Sequence, residues 1–483
     1  MSKLIDFPSD AENLPGLEMK KTMPYAAQLA EFAIKKFNTE LPPEVLNVAV
    51  SALIDQYGLQ IGGSEFSWSR GIHAYVLSQG TSDASSITRY GEKVSPSAAA
   101  FINGCFAHAQ DFDDSHQEAQ THPGSVVIPA AMALGESLNC DGKTVLKAIA
   151  LGMEIMLRLA HALCPACIEG GHHTPPTVGP FGAAIACGLL LGLSVEQLTQ
   201  ALGICGSYAG GLVAYTVGGG SVKRIHTGIA ARNGLEAALL AKHGITGPKN
   251  IIEGAKGLFE VFGRGRAFPE RLFSDLGERY LLTTLMFKPY NCCYLIHPAI
   301  ELYLELVTKN QLAPEDIQSV RVGLSQFSVS HAGTITQPHD ALGAQFSTAF
   351  TLALSHIDEA PGLHSYSDEN LANARIRNLA GKIEVFCDEA INAQFPRENG
   401  CTIKIISTQD RIYEAKITAP KGSPSNLMTR EDVTKKYFLN VADVLTLEEA
   451  DLLLENLVNF QRVTVRELAK SAQKNSCLIQ AKL

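Results

Sequence analysis

The 483-residue sequence has no uninterrupted apolar run of about 18 residues, the length that a membrane-spanning helix requires. The residues after Met1 lack the cationic and apolar regions of a secretory signal. There is also no internal repeat, low-complexity tract or long run of like charge. From these absences we expect an intracellular globular protein with no membrane partner.

Charged residues are scarce, at 18% of the chain, and the formal net charge is −9. A chain with this balance has no general affinity for nucleic acid or for an anionic membrane. We therefore predict neither as a partner, and we expect local cations to hold any anionic substrate. With 46% hydrophobic residues, a chain of this length can form two domains and a large core.

Several familiar site motifs are missing. No Gly-x-x-x-x-Gly-Lys-Ser loop supports nucleotide binding, and no Gly-x-Ser-x-Gly elbow supports a serine hydrolase. The eleven cysteines, an odd number, are scattered among apolar helix patterns, which favours reduced, buried thiols over a disulfide framework. Cys164 and Cys167 have the spacing of a redox pair but lack its βαβ context.

Helical periodicity dominates from Tyr25 to about Leu285, where apolar residues recur every three or four positions. After Pro298, four runs alternate with period two, as strands do: residues 317–325, 382–387, 402–407 and 412–418. Helical patterns return from Thr429, including a capping box that begins at Thr446.

These patterns predict a mainly α protein. Its large all-helical domain is built from both chain ends, and a smaller α+β lid domain is inserted between them. The predicted segments are residues 1–285, 286–427 and 428–483. A cleft between two domains is a common place for a ligand.

The densest group of ionisable residues lies between Asn103 and Pro129. Carboxylates and histidines beside an apolar helix pattern can transfer protons near neutral pH, so this stretch is our first candidate for an active site. Its members are Asp111, Asp113, Asp114, Glu118, His108, His116 and His122.

Four further segments, each marked by glycine or proline or placed next to a helix pattern, add cations and histidines. Together they could hold a multiply charged carboxylate in an acidic protein. The residues of interest are His173 in 170–179, Lys223 and Arg224 in 222–228, Lys288 and Cys293 in 287–298, and His331 in 328–333.

Each of these residues also has a structural interpretation. Asp113 and Asp114 could cap a turn, Lys223 and Arg224 could be a solvated pair, and Cys293 could be a buried apolar residue. Carboxylates and histidines between residues 111 and 122 could instead bind a divalent ion, although the spacing matches neither an EF-hand nor a His-Glu-x-x-His helix. The co-occurrence of complementary groups favours one organic-anion pocket.

Ordered motifs along the chain resemble those of the MmgE/PrpD family. They are His108-Ala-Gln-Asp111-Phe-Asp113-Asp114, His122-Pro123, His173 before Val178-Gly179, and Lys223-Arg224-Ile225-His226. The similarity extends over nearly the whole sequence. The family contains 2-methylcitrate dehydratases, cis-aconitate decarboxylases and an iminodisuccinate epimerase. The resemblance implies a helical domain with an inserted α+β lid, in agreement with the patterns above, and a homodimer that needs no metal or other cofactor.

The resemblance also implies roles for individual residues. The catalytic set is Asp111, His122, His173 and Lys223, and the substrate-binding set is Ser115, Arg224, Lys288, Cys293 and His331. Lys223, Arg224, Lys288 and His122 would neutralise carboxylates, and His122 or His173 would deliver a proton to carbon. Ser115 stands where the animal decarboxylase has threonine, and Cys293 where it has a histidine. The Lys-x-x-x-Cys-Cys pattern that begins at Lys288 resembles the pattern of the fungal decarboxylase at this place.

We expect a lyase that acts on a small tricarboxylate. The leading hypothesis is decarboxylation of cis-aconitate or an alkyl-aconitate to an itaconate-type product. The alternatives are dehydration of 2-methylcitrate or a 2-alkylcitrate, and a non-catalytic protein that binds tricarboxylates or serves as a scaffold. The C-terminal tripeptide Ala481-Lys482-Leu483 resembles a Ser-Lys-Leu address, so we expect cytoplasmic or, in a eukaryote, peroxisomal localisation.

Overall fold

A computed structural model describes residues 23–358 and 361–473 of the chain. From Tyr25 to Phe273 these residues form helices and the segments that connect them, with one two-stranded hairpin. The helices are α1 (Tyr25–Phe37), α2 (Pro43–Gly63), α3 (Ser67–Ser78), α4 (Pro96–Ala107), α5 (Gly124–Leu138), α6 (Gly142–Leu163), α7 (Ala166–Glu169), α8 (Thr174–Leu190), α9 (Val195–Cys205), α10 (Tyr215–Gly218), α11 (His226–Lys242), α12 (Leu258–Gly263) and α13 (Glu270–Phe273). The hairpin pairs β1 (Ser85–Ser86) with β2 (Lys93–Val94).

Three further helices return at the C-terminal end: α21 (Arg430–Val441), α22 (Leu447–Val458) and α23 (Val465–Ser471). The predicted capping box is confirmed, because the Thr446 hydroxyl accepts a hydrogen bond from the Glu449 N–H and the Glu449 carboxylate accepts one from the Thr446 N–H. Such reciprocal bonds satisfy N–H groups that have no partner inside the helix.

One apolar core joins both chain ends. It includes Leu29 and Leu53 from the first helices together with Tyr437 and Leu453 from the last ones. α21 packs directly on α2, where a Cβ added to Gly58 would lie 3.2 Å from the Tyr437 backbone. We call this assembly the helical part. The prediction of a helical domain built from both chain ends is therefore confirmed.

Glycines bring α4, which leads into the ionisable stretch, very close to α11. A Cβ on Gly104 of α4 would lie 2.8 Å from the Cα of Gly228 in α11, and one on Gly228 would lie 2.2 Å from the Phe101 carbonyl oxygen. Real Cβ atoms do not approach so closely, so only glycine permits this packing. The end of α4 is thereby fixed against the start of α11.

The remaining elements form an inserted part with mixed α and β structure. They are α14 (His297–Lys309), β3 (Ile317–Leu324), α15 (Gln326–Ser328), a π-helical turn (Val329–Gly333), α16 (Ala341–Gln345), α17 (Thr348–Ile357), α18 (Asp368–Ala372), α19 (Ala374–Ala380), β4 (Ile383–Cys387), α20 (Glu389–Asn392), β5 (Cys401–Ser407) and β6 (Ile412–Ile417). The sheet order is β4-β3-β5-β6; β3 pairs parallel to β4 and antiparallel to β5, and β5 pairs antiparallel to β6. Gln409 and Asp410 lie in the hairpin turn that joins β5 to β6.

The inserted part has its own core. In β5, buried residues alternate with half-buried ones, because successive side chains point to opposite faces of a sheet. Its buried members Cys401, Ile403 and Ile405 join α14 and α17 in this core. The mainly α fold with a smaller α+β part is as predicted; the boundaries at residues 285 and 427 remain predictions.

Within residues 23–358 and 361–473, none of the helices combines the length and the apolar character that a bilayer span requires. The C-terminal tripeptide, on which the expectation of peroxisomal import depends, lies outside the described residues.

Candidate active site

A cavity of about 140 Å³ lies where the helical part meets the inserted part. It is lined by every residue of the predicted catalytic and substrate-binding sets except Arg224: Asp111, Ser115, His122, His173, Lys223, Lys288, Cys293 and His331. Six of them lie in connections or immediately before a helix, Lys223 lies in a 3₁₀ turn, and His331 lies in the π-helical turn. The structure thus brings together segments that span more than 200 positions of the chain.

Asp111 joins the two buried lysines that line the cavity. Its Oδ1 accepts hydrogen bonds from Lys223 Nζ at 2.8 Å and from Lys288 Nζ at 3.1 Å. Lys288 Nζ also donates to the Asp111 backbone oxygen at 2.6 Å. All three side chains are at most 5% exposed, so these contacts are screened very little by water.

The electrostatics of this cluster favour an ionised Asp111. Burial alone would raise its pKa, but the two ammonium groups hold that pKa well below its usual range. Burial lowers the pKa of Lys223, against the opposing pull of Asp111. The pKa of Lys288 is raised, because its contacts with carboxylates outweigh burial. Asp111 also has φ +54°, an uncommon conformation for a residue with a side chain.

A backbone bridge places Lys288 beside Asp111. The Ser115 N–H donates to the Met286 carbonyl oxygen at 2.8 Å, and the Met286 N–H donates to the Ser115 carbonyl oxygen at 2.8 Å. Because Lys288 follows Met286 by two residues, this pair of bonds aligns the connection to the inserted part with the ionisable loop between α4 and α5. Ser115 itself lines the cavity.

His122 faces the same charged cluster. Its Nδ1–H donates to the Asp114 carbonyl oxygen at 2.8 Å, and its Nε2 lies 3.9 Å from Asp111 Oδ1. Burial lowers the pKa of His122 to about 3, so the imidazole is neutral at pH 7 and its Nε2 carries a lone pair. An anion bound beside it would favour the protonated form.

His173 is the residue that precedes α8, at the positive end of the helix. Its Nδ1 lies 2.9 Å from Nδ1 of His226, so one of the two rings donates and the other accepts. Burial lowers the pKa of His173 well below its usual range, and the charge of Lys223 adds to this. Burial likewise lowers the pKa of His226 to about 4.

Cys293 and His331 come from the inserted part. Burial raises the pKa of the Cys293 thiol to about 11, and the charge of Asp111 adds to this, so the cavity wall carries a protonated thiol rather than a thiolate. The Nδ1–H of His331 donates to the Phe327 carbonyl oxygen at 3.0 Å, and its ring stacks on that of Phe327 at 4.0 Å between centroids.

Apolar side chains also line the cavity. The rings of Phe327 and Phe395 stack with their centroids 5.2 Å apart. They line the cavity together with Ile168, Val213, Leu295 and Phe346. A charged group placed against these side chains would have few partners to replace its hydration.

Arg224 is directed elsewhere. Its guanidinium donates to the Ala109 carbonyl oxygen and stacks over the ring of Trp68, with Cζ 3.8 Å from the ring centroid. Its neighbour Lys223 lies in the same 3₁₀ turn (Val222–Ile225), where successive side chains diverge by about 120°. The structure therefore brings Lys223, but not Arg224, to the cavity.

Two buried residues of the ionisable stretch that belong to neither the predicted catalytic set nor the predicted substrate-binding set stand directly behind Lys223. His108 Nε2 lies 2.9 Å from Lys223 Nζ, and His108 Nδ1 lies 2.8 Å from Asp113 Oδ1. The signal was present in the sequence, since both belong to the motif that contains Asp111. His226 and Tyr215 were missed as well; Tyr215 lines the cavity and packs its ring on that of His173 at 5.5 Å.

The carboxylates and imidazoles of this cluster lie close enough together to suggest a metal site. One ligand atom from each of His108, Asp111, Asp113 and His122 can be chosen within 4.8 Å of the others. However, two ammonium groups already bond to Asp111 Oδ1, and they would repel a cation at this position. The donor set therefore fits an organic anion better than a divalent ion.

The comparison with known families decides the relationship. The sequence profile of the MmgE/PrpD N-terminal domain matches residues 27–271, and that of the MmgE/PrpD C-terminal domain matches residues 290–459. The chain belongs to the MmgE/PrpD family. The resemblance inferred from its motifs is confirmed.

Curated relatives include members of this family from fungi and mammals. A cis-aconitate decarboxylase of Aspergillus terreus is 32% identical over 459 residues, which cover 89% of this chain and 92% of that protein. The cis-aconitate decarboxylase-like protein oryM of Aspergillus oryzae is 31% identical over 458 residues, covering 90% and 94% respectively. The human cis-aconitate decarboxylase is 26% identical over 388 residues, covering 76% and 77%.

Proposed function

We propose that this protein is a cofactor-independent lyase that decarboxylates cis-aconitate or an alkyl-aconitate to an itaconate-type product. Its membership of the MmgE/PrpD family and its relatives named cis-aconitate decarboxylase support a lyase. The observation that carries the proposal is that one cavity is lined both by two buried ammonium groups and by a stacked pair of aromatic rings.

The ammonium groups bind the carboxylates that stay on the substrate. Lys223 and Lys288 each have three N–H groups, and their bonds to Asp111 and His108 leave one on each for a substrate oxygen. Such charge-assisted hydrogen bonds are short and strong in a buried site. They hold the substrate in one orientation.

The leaving carboxylate lies against Phe327 and Phe395. Loss of CO2 is favoured where the charge of the carboxylate is poorly solvated. As the bond between carbon and the carboxylate breaks, its electron pair shifts through the adjacent double bond. The negative charge then develops beside a second carboxylate, which the lysines stabilise.

A histidine returns one proton to carbon and completes the reaction. His122 and His173 are both candidates, because both line the cavity and are neutral when it is empty. A bound polyanion raises their pKa values, so the site takes up a proton as substrate binds. The reaction consumes one tricarboxylate trianion and one proton, and it releases CO2 and one dicarboxylate dianion.

Proton NMR of the purified protein, with chelator present, tests the proposal. Incubation with cis-aconitate should produce the methylene signals of an itaconate-type product, and Lys223→Ala should abolish them. Conversion of 2-methylcitrate to an unsaturated tricarboxylate, with cis-aconitate untouched, would replace decarboxylation by dehydration. Binding of both acids without turnover would identify a tricarboxylate-binding protein.

We also propose that the protein forms a homodimer, as the family resemblance implies. Light scattering coupled to size-exclusion chromatography tests this, and a mass of about 52 kDa, the value for a single 51.8 kDa chain, would refute it. The division into residues 1–285, 286–427 and 428–483 is a further proposal. Limited proteolysis should cut first near residues 285 and 427 if those boundaries are correct.

A further inference from the structure

Asp113, His108 and Lys223 form one unbroken hydrogen-bonded chain that ends in the cavity. Asp113 Oδ1 lies 2.8 Å from His108 Nδ1, and His108 Nε2 lies 2.9 Å from Lys223 Nζ. The side chains of Asp113 and His108 have no solvent exposure, and that of Lys223 is 4% exposed. Water therefore does not compete for these bonds.

The chemistry of the three groups sets the direction of each bond. An ionised Asp113 can only accept, so His108 carries its proton on Nδ1 and presents a lone pair at Nε2. Burial lowers the pKa of His108 and keeps the ring neutral. The lone pair accepts one N–H of Lys223, and Asp111 Oδ1 accepts another. One N–H remains for a ligand.

Packing alone does not account for this arrangement. Burying an ionised carboxylate next to a neutral imidazole costs free energy, and apolar side chains would fill the same space without that cost. Within the described residues, Asp113 Oδ2 makes no hydrogen bond, although His122 Nδ1 lies 3.5 Å away. A buried polar group that reduces the stability of the fold is commonly retained beside a functional site because the function requires it.

We propose that Asp113 and His108 are positioning residues that act through Lys223. Asp113 holds His108 in the Nδ1–H form, and His108 Nε2 fixes the ammonium so that its remaining N–H meets a substrate carboxylate. The substrate contact rests on the proposed function, whereas the effect on Lys223 does not. The ionisable groups that act on Lys223 are His108, Asp111, Asp113, Lys288, His122, His173, His226 and Cys293.

Asp113→Asn is the direct test, because an asparagine side chain has nearly the same shape but no longer enforces one form of His108. When the amide donates to Nδ1, the ring proton moves to Nε2 and opposes the Lys223 ammonium. The matched control is Asp114→Asn. Asp114 is also buried, but its side chain bonds to Gln56 and Gly124 rather than to the chain described here.

Two measurements are made on each variant. The first is the rate at which trace acetic anhydride labels Lys223 in the substrate-free protein, followed by mass spectrometry of its peptide. The second is kcat/KM for cis-aconitate. For Asp113→Asn we expect labelling to rise by about tenfold, since loss of a hydrogen bond to a charged group destabilises the ammonium. We expect kcat/KM to fall by at least about 100-fold, because large losses of activity occur when the carboxylate that fixes the tautomer of a functional histidine is replaced by an amide.

The outcomes separate the two proposals. Unchanged labelling of Lys223 in Asp113→Asn would overturn the positioning role, whatever happens to turnover. Faster labelling in Asp113→Asn but not in Asp114→Asn supports it, even if the wild-type protein leaves cis-aconitate untouched; in that case only the proposed function fails.

A second pair of variants applies if Asp113→Asn does not fold. In His108→Gln, the amide oxygen can reach the position of Nε2 and accept from Lys223. In His108→Asn, the shorter amide can reach only the position of Nδ1. The proposal is supported if His108→Gln keeps part of the wild-type kcat/KM and labels Lys223 at the wild-type rate, while His108→Asn does neither. Equal losses in both variants, with unchanged labelling of Lys223, would overturn it.

Discussion

Replacing Asp111 by asparagine tests whether one carboxylate is the counter-ion of both buried lysines. The substitution keeps the shape of the side chain but leaves the ammonium groups of Lys223 and Lys288 without a negative partner at 2.8 and 3.1 Å. Breaking a buried ion pair by removing one partner costs about 3–5 kcal/mol. Asparagine still accepts one hydrogen bond, so we expect a loss near the lower figure.

Denaturant unfolding at pH 7 measures this cost. Asp111→Asn should lower the free energy of unfolding by about 3 kcal/mol, whereas Asp114→Asn should not lower it, because asparagine cannot ionise on unfolding as wild-type Asp114 does. Asp114 is the fitting control because burial, and next the charge of Asp113, raise its pKa to about 8; the group is already mostly neutral at pH 7. Gln56 Oε1, which has no hydrogen-bond partner within the described residues, can turn to accept from the new amide.

A bound polyanion should restore part of the loss. In Asp111→Asn the carboxylates of tricarballylate, a saturated analogue of cis-aconitate, can act as the missing counter-ions. Ligand that binds only the folded state stabilises it by RT ln(1 + [L]/Kd), about 2.7 kcal/mol at 100 Kd. Wild-type stability in Asp111→Asn, or an equal loss in Asp114→Asn, would refute the assignment of Asp111 as the shared counter-ion.

Three further substitutions test separate parts of the structure. Phe327→Ser places a hydroxyl where we expect the leaving carboxylate, so kcat should fall by about 10-fold or more while KM changes little; steady-state kinetics with Phe327→Leu as control measure this, and a fall confined to KM would contradict it. Arg224→Met loses the hydrogen bond to the Ala109 carbonyl oxygen and part of the packing on Trp68, so the free energy of unfolding should fall by about 1–3 kcal/mol. A rise in KM above about tenfold would instead favour the predicted contact between Arg224 and the substrate. Asp114→Asn should gain stability relative to wild type as pH rises from about 5 to 8. The reason is that folded Asp114 keeps its proton up to a pKa of about 8, whereas the unfolded side chain releases it near pH 4. A difference in the free energy of unfolding between variant and wild type that stays constant over this pH range would contradict the prediction.

Much of the candidate site was accessible from the sequence because its motifs combine several chemical types at fixed spacings. Asp111, His122 and Lys223 belong to such motifs, and all three line the cavity. Arg224 belongs to the same motif as Lys223 and differs only in direction. Which of two adjacent side chains faces a cavity depends on the turn they occupy, and the tight 3₁₀ turn before α11 was not evident from periodicity.

His108 shows the opposite case. Its place in the motif was visible, but its role depends on Lys223, which lies 115 positions away in the chain. Hydrogen bonds over such separations are decided by how helices pack, here by the contact of Gly104 with Gly228 that fixes α4 against α11. The sequence predicted the type of chemistry but not the hydrogen-bonded chain that runs from Asp113 through His108 to Lys223.

The sequence alone was sufficient for the mainly α fold, the inserted α+β part and the candidate residues, because these follow from local periodicity, helix caps and motif spacing. Only the tertiary structure decided the pairing of Asp111 with two lysines, the apolar wall around Phe327 and the orientation of Arg224 away from the cavity. The physical reason is that periodicity records which face of an element is buried, whereas distances between side chains and the resulting pKa shifts depend on how distant segments meet in a water-excluded site.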